Sequence, residues 1–72
     1  MLEINLTKHA RKRLRERDIK LTQIKETVLG PDKWFYGEEE EINAIKDFGK
    51  RKLRVVYMPE PKSVKVITVM WL

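Results

Sequence analysis

The chain has 72 residues with a formal net charge of +5, which indicates one small basic domain that favours a polyanion or an acidic protein as its partner. The absence of cysteine excludes disulfide bonds and thiolate metal sites, and it favours a reducing cytoplasm. A single histidine excludes a multi-histidine metal site. We therefore expect no cofactor. No apolar run approaches the roughly 20 residues that span a bilayer, and the N-terminal residues lack the basic and apolar regions of a signal peptide.

The first part of the chain predicts a short strand followed directly by a helix. Apolar and polar residues alternate over residues 2–6, which is typical of a half-buried strand. Thr7 suits the N-cap of a helix because its hydroxyl can accept a hydrogen bond from a free amide in the first turn. The helix is predicted over Lys8–Arg17, and it should stop at Asp18, where glycine would be the easier residue.

The next segment predicts a second helix over Ile19–Leu29, because its apolar residues fall on one helical face. Gly30-Pro31 ends this helix, since glycine allows a left-handed cap and proline cannot continue the helix. The connection between the two helices is only a few residues long, so we expect a helical hairpin.

The remainder of the chain predicts strands and turns, with strand patterns over residues 33–36, 41–48, 53–58 and 64–71. Imperfect alternation in 41–48 indicates a bulge there, and the two prolines in 59–62 indicate a turn. The element order therefore predicts an α+β domain, with the helical hairpin packed on one face of a three- to four-stranded antiparallel sheet. The other face of the sheet should be open and should carry Arg54.

The first candidate site is a polar stripe on the first helix, where His9, Arg13 and Arg17 are spaced by four residues. Guanidinium groups bind phosphate oxygens bidentately, and imidazole is the side chain that most often transfers protons in enzymes. Cleavage of RNA without a metal needs such a proton transfer and cations that stabilise the charged phosphorane. The alternative is a surface histidine beside arginines that pair with acidic neighbours, and the residues alone favour that alternative.

The second candidate site is a basic hairpin that contains Lys50, Arg51, Lys52 and Arg54. One interpretation is a track for an RNA backbone, and the other is an edge strand that charge protects from aggregation. The two interpretations are equally supported by the residues. Arg54 is the member of most interest because it lies in mid-strand, opposite in phase to its apolar neighbours.

The aromatic residues offer a third candidate, because Tyr57 and Trp71 could stack on nucleic-acid bases. Tyr57 shares the phase of apolar residues in its strand, so contacts in the core or in a dimer are the favoured interpretation for most aromatics, including Trp34–Tyr36. The acidic run Glu38–Glu41 lacks a ligand spacing and predicts a solvated turn rather than a divalent-ion site.

A set of short motifs extends over nearly the whole chain: His9-Ala10-x-x-Arg13-Leu14-x-x-Arg17-x-Ile19, Ile24, Val28-Leu29, Pro31-Asp32, Lys52–Tyr57 and Val64–Val69. In these motifs the chain resembles a family of small prokaryotic domains of unknown function, the 4258-like family, which is placed near the RelE/ParE/BrnT toxin superfamily. The chain departs from the family pattern at Asp18, where such sequences usually carry glycine.

The resemblance implies a single RelE-like toxin-type domain over residues 1–72. Toxins of that superfamily are commonly metal-independent endoribonucleases that act on messenger RNA in the ribosome, whereas ParE-like members poison gyrase. The resemblance places the catalytic residues at His9, Arg13, Arg17 and Arg54. It extends more loosely to Lys50, Lys52 and Tyr57 as RNA-binding residues, and the basic hairpin adds Arg51.

Two functional hypotheses follow from these observations. The first is a toxin-like, metal-independent endoribonuclease of a toxin–antitoxin pair, in which His9 is the general acid or base and the arginines bind phosphate. Its partners would be RNA, including ribosome-associated messenger RNA, and a small antitoxin protein. The alternative is a non-catalytic module that binds RNA or a protein. A homodimer is compatible with either hypothesis.

Overall fold

The helices and strands are given by a computed structural model, which describes residues 2–72. Within these residues there are two helices and five strands. In chain order they are β1 (Glu3–Leu6), α1 (Lys8–Glu16), α2 (Leu21–Leu29), β2 (Lys33–Tyr36), β3 (Ile42–Asp47), β4 (Lys52–Glu60) and β5 (Ser63–Trp71).

The strands form one mixed sheet in the order β1-β5-β4-β3-β2. Neighbours from β2 to β5 pair antiparallel, whereas β1 pairs parallel with β5. The sheet therefore differs from the predicted three- to four-stranded antiparallel sheet. The difference arises because β1 joins β5 from the far end of the chain, and a parallel pairing of this kind needs a long crossover that no local pattern reveals.

Both helices lie on the same face of the sheet, which confirms the predicted α+β layering. α1 packs on β5 and β1, and α2 packs on β4 and β3. The two helices hardly contact each other, so the predicted packing of a helical hairpin is wrong: each helix buries its apolar side against the sheet instead. The open face carries Arg54, as predicted. The core lies between the two layers and contains Ala10, Ile19, Ile24, Val28, Ala44, Leu53, Val55, Tyr57, Val64, Val66 and Val69.

The N-terminus of α1 is tied both to its own first turn and to β5. The Thr7 hydroxyl accepts a hydrogen bond from the amide of Ala10 at 3.0 Å, which confirms the predicted N-cap. The same hydroxyl donates to the carbonyl of Ile67 at 3.1 Å, and the Thr7 amide donates to the carbonyl of Val66. One residue therefore ends β1, starts α1 and joins both to the central part of β5.

The C-terminus of α1 is a Schellman motif, in which the residue after the cap takes a left-handed conformation. That residue is Asp18, with a φ of 50°. The amide of Ile19 donates to the carbonyl of Leu14 at 2.9 Å, and the Asp18 amide donates to Arg15 at 3.4 Å. Ile19 is buried and Leu14 packs against the same core, which completes the apolar contact of the motif.

The irregularity in the sheet lies between β4 and β5, at Val56 and Tyr57, and not in β3 as predicted. The partner of Val56 is Thr68 and that of Tyr57 is Val66, so Ile67 is the extra residue.

Pro59 lies inside β4 rather than in the predicted turn. Proline is tolerated there because the pairing of β4 with β3 ends at Tyr57. Beyond Tyr57 there are no hydrogen bonds to β3 that the missing N–H of Pro59 would break.

Replacing Thr7 by alanine should lower the free energy of unfolding by about 1–2 kcal/mol, because the change removes an N-cap and the hydroxyl bonded to Ile67. Urea unfolding followed by circular dichroism measures this loss. The control is Thr22→Ala, an exposed threonine of α2, which should change the free energy by less than about 0.5 kcal/mol. Equal effects of the two changes would contradict the assigned role of Thr7.

Replacing Asp18 by glycine should raise the free energy of unfolding by about 0.5–1 kcal/mol, because glycine adopts a φ of 50° without a side-chain penalty. Thermal unfolding should show an increase of a few degrees, on the order of 4–8 °C per kcal/mol for a domain of this size. Asp18→Ala is the matched comparison and should be less stable than the unaltered chain. A glycine variant that melts below the unaltered chain would refute the assignment.

Candidate phosphate-binding face and sheet arginine

The outer side of α1 is a continuous cationic surface. α1 buries Ala10 and packs Leu14 against the core, so the residues on its other side point to solvent. The exposed cations of this surface, called the basic face below, are Lys8, Arg11, Lys12 and Arg15. His9 and Glu16 are exposed beside them on the same side of the helix.

His9 and Arg13, two members of the predicted stripe, are neighbours on α1. The Nε of Arg13 donates a long hydrogen bond of 3.5 Å to the Nε2 of His9. The Nη1 of Arg13 also donates to Glu16 at 3.1 Å, in a salt bridge whose side chains are 36% and 46% exposed. An imidazole and a guanidinium are thus brought together on the solvent side of the helix.

Arg17, the third member of the stripe, is bonded to the sheet. Its Nη1 donates to the carbonyl of Val69 at 3.1 Å, and its own carbonyl accepts from the indole nitrogen of Trp71 at 2.9 Å. These contacts connect the C-terminal end of α1 to the end of β5. Arg17 is only partly exposed and has a structural partner that the spacing of four residues did not reveal.

Arg54 lies on the opposite side of the sheet from the helices. Its Nε and Nη2 both donate to the Oδ1 of Asn43, at 3.1 and 2.6 Å. Its guanidinium carbon also lies 5.7 Å from the centre of the Phe35 ring. The guanidinium is therefore held in place on the open face, with the sheet between it and His9.

Asn43 is a site residue that the sequence interpretation missed. It is 3% exposed, and its side-chain oxygen accepts both hydrogen bonds from Arg54. The available signal was its phase, because Asn43 lies between Ile42 and Ala44, whose side chains face the helices. The side chain of Asn43 therefore points to the open face, where β3 pairs with the part of β4 that contains Arg54. A polar residue at this position can accept a hydrogen bond from the Arg54 guanidinium.

Lys50 and Arg51 in the β3–β4 turn and Lys52 at the start of β4 are exposed. Lys50 and Arg51 lie near the C-terminal end of α1, where they line one cavity with Asp18, whereas Lys52 shares the phase of Arg54 on β4. The guanidinium carbon of Arg51 lies 4.1 Å from the centre of the Trp71 ring. A cavity of about 640 Å³ is lined by Arg51, Trp71, Met70 and residues 16–18. The tertiary structure therefore brings Arg51 beside the C-terminal end of α1, in a cavity that Glu16 and Asp18 also line.

Tyr57 lies in the core and is 9% exposed, so its ring is not available to stack on a base. Burial raises the pKa of the Tyr57 phenol above its ordinary value, and the charge of Tyr36 raises this pKa further.

Among the residues that the structure describes, no three His, Cys, Asp or Glu side chains form a group that could hold a metal ion. Over the same residues, neither helix has the length and apolarity needed to cross a membrane.

Stability should depend on pH through Tyr57. Since the pKa of Tyr57 is raised in the folded state, its contribution to stability is complete below the unfolded pKa of about 10 and is lost as pH rises through the folded pKa. Absorbance titration at 295 nm of the Tyr36→Phe variant should give a Tyr57 midpoint above 10. A midpoint at or below that of an unfolded control in urea would contradict the burial of this phenol.

Comparison with known proteins agrees with the sequence motifs. A family model described as a domain of unknown function (DUF4258) matches residues 6–71. No curated protein and no solved structure matches the chain. Because the family model spans more than half of the chain, the protein belongs to the DUF4258 family of domains of unknown function.

Proposed function

We propose that this domain binds RNA through the basic face of α1 and acts in the cytoplasm as a toxin-like, metal-independent endoribonuclease. The observation that carries the proposal is the composition of the exposed side of α1, where His9 lies among cations. Lys8, Lys12 and Arg13 are the cationic neighbours of His9 along the helix. A small antitoxin protein would be the second partner of such a toxin.

The charge distribution of α1 supports a polyanion as the ligand. Lys8 and Lys12 are one helical turn apart, as are Arg11 and Arg15, and like charges at this spacing destabilise a helix by about 0.2–0.5 kcal/mol per pair. The first turn contains no acidic residue, so Lys8 also faces the positive end of the helix dipole. A phosphate backbone relieves both repulsions, and it also releases counterions when it binds.

The pair of His9 and Arg13 supports the cleavage chemistry. RNA binding opens the long hydrogen bond from Arg13 to His9 Nε2, as Arg13 turns to the phosphate. His9 Nε2 then takes the proton from the ribose 2′-hydroxyl, and the 2′ oxygen attacks the adjacent phosphorus. The 5′ oxygen then leaves with a proton from solvent, giving a 2′,3′-cyclic phosphate and a 5′-hydroxyl end. Arg13 lies 3.5 Å from the imidazole and stabilises the negative charge that develops on the phosphorus oxygens.

The second candidate function is RNA binding without cleavage, and a specific observation favours it. Arg17 is bonded to Val69 of β5, and Arg54 is bonded to Asn43 on the open face. Two of the four residues that the family resemblance placed in a catalytic site therefore do not converge on His9. Cleavage then depends on His9, Arg13 and the neighbouring lysines, whereas binding needs the cations alone.

Neutralising the basic face should weaken RNA binding without unfolding the domain. For Arg11→Gln/Arg15→Gln we expect about a tenfold loss of affinity for a single-stranded RNA, measured by fluorescence anisotropy. The slope of log affinity against log salt should fall by about 1.4, since each released phosphate contact contributes about 0.7. The matched control is Lys62→Gln/Lys65→Gln, which removes the same charge from the β4–β5 turn region.

Cleavage is tested in the same samples, with EDTA present, by following RNA fragments that end in a cyclic phosphate. His9→Ala should bind RNA with unchanged affinity but cleave at least about 100-fold more slowly. Binding without cleavage by the unaltered chain would establish the second candidate. Equal RNA affinity of the Arg11/Arg15 and Lys62/Lys65 variants would refute the basic face as the RNA-binding surface.

A further inference from the structure

The outer strand β2 is the most exposed apolar segment of the sheet. Its residues Lys33–Tyr36 are all exposed, and the exposed fractions of Trp34, Phe35 and Tyr36 are 53%, 42% and 64%. β2 pairs with β3 on one side only, so its other edge faces solvent. An exposed apolar edge strand is a template for pairing with another strand.

The register of β2 with β3 determines which of its backbone groups face that free edge. The amide of Gly37 donates to the carbonyl of Glu41 at 2.7 Å, in the same register as the pair of Phe35 with Asn43. Backbone groups alternate in direction along an antiparallel strand, so those of Phe35 also face β3. Trp34 and Tyr36 therefore present their N–H and C=O groups to the open edge.

We propose that β2 pairs antiparallel with β2 of a second copy of this chain, in one defined register. Trp34 of each copy lies opposite Tyr36 of the other, and Phe35 lies opposite Phe35 on the two-fold axis. This register uses every outward-facing backbone group of β2 residues 34 and 36 and forms about four hydrogen bonds. The two sheets then join into one continuous sheet, with the helices of both copies on the same face.

Self-complementarity indicates a second copy as the occupant of this edge. On one face, the pairing places the rings of Trp34 and Tyr36, which already meet edge-on at 5.3 Å within a chain, against those of the other copy. On the open face, the two Phe35 rings meet between the two Arg54 guanidinium groups. Lys33 lies opposite Gly37, next to the acidic run that begins at Glu38, so charges of opposite sign adjoin.

The strength of this dimer follows from the size of the contact. A pairing between two four-residue strands buries less than the roughly 1,200 Å² of a standard interface, so dissociation in the micromolar range is expected. The inference goes beyond the proposed function and does not depend on it. α1 packs over β1 and β5, at the far end of the strand order from β2, so dimerisation leaves the basic face of α1 free.

The register is tested by disulfide trapping, for which the chain is suited because it contains no cysteine. Phe35→Cys should form a disulfide-linked dimer on oxidation, since directly opposite, non-hydrogen-bonded residues have Cα atoms about 4.5 Å apart. Trp34→Cys is the matched control from the same exposed strand. It lies opposite Tyr36 of the second copy and should not link to itself.

Sedimentation velocity of the unaltered chain, from about 1 µM to about 500 µM, provides a test that needs no variant. A concentration-dependent dimer is expected, and Phe35→Lys should raise its dissociation constant by at least about tenfold by placing like charges on the axis. A monomer throughout this range would overturn the proposal. The open edge of β2 would then be either unpaired or the binding site of a different protein. Self-linking of Trp34→Cys at the rate of Phe35→Cys would also overturn it.

Discussion

The position of α1 on the edge of β5 is the constraint on which the rest of the structure depends. The parallel pairing of β1 ends at Val66, so the following part of β5 has no neighbouring strand on that side. Side chains from α1 take that place. Thr7 donates to the carbonyl of Ile67, and Arg17 donates to the carbonyl of Val69 two residues further on. Both ends of the helix are thereby attached to the same strand.

This attachment determines which residues of α1 are available for function. Because Thr7 and Arg17 are bonded to β5, the apolar side of the helix faces the core and the cationic side faces solvent. The tertiary contacts also support a helix whose like charges disfavour it in isolation. Arg17 therefore contributes to the placement of His9 and Arg13, and not directly to the surface that they form.

The two sides of the sheet differ in exposure and hydrogen bonding. On one side of the sheet, the part of β5 beyond its pairing with β1 accepts hydrogen bonds from the two ends of α1, whereas β2 on the other side is short, exposed and aromatic. Arg54 lies between these regions on the open face, where Asn43 and Phe35 hold its guanidinium. A ligand of α1 and a partner of β2 would thus contact separate surfaces, and both could be bound at once.

The sequence by itself determined the features that depend on neighbouring residues. The cap at Thr7, the stop at Asp18 and the alternation that places Arg54 on the open face follow from local propensity and periodicity. The predicted strand boundaries agree with those of the structure to within about two residues for the same reason. α2 also ends before Gly30-Pro31 as predicted, but Gly30 has a φ of −143° and does not form the left-handed cap.

Only the tertiary structure decided which distant residues meet. The parallel pairing of β1 with β5, the bulge at Ile67, the bond from Arg17 to Val69 and the separation of Arg54 from His9 each join or divide residues far apart in the chain. A spacing of four residues aligns side chains on a helix, but it does not specify what the helix packs against. The partner of each side chain is set by the sheet register, and register depends on the whole hydrophobic pattern at once.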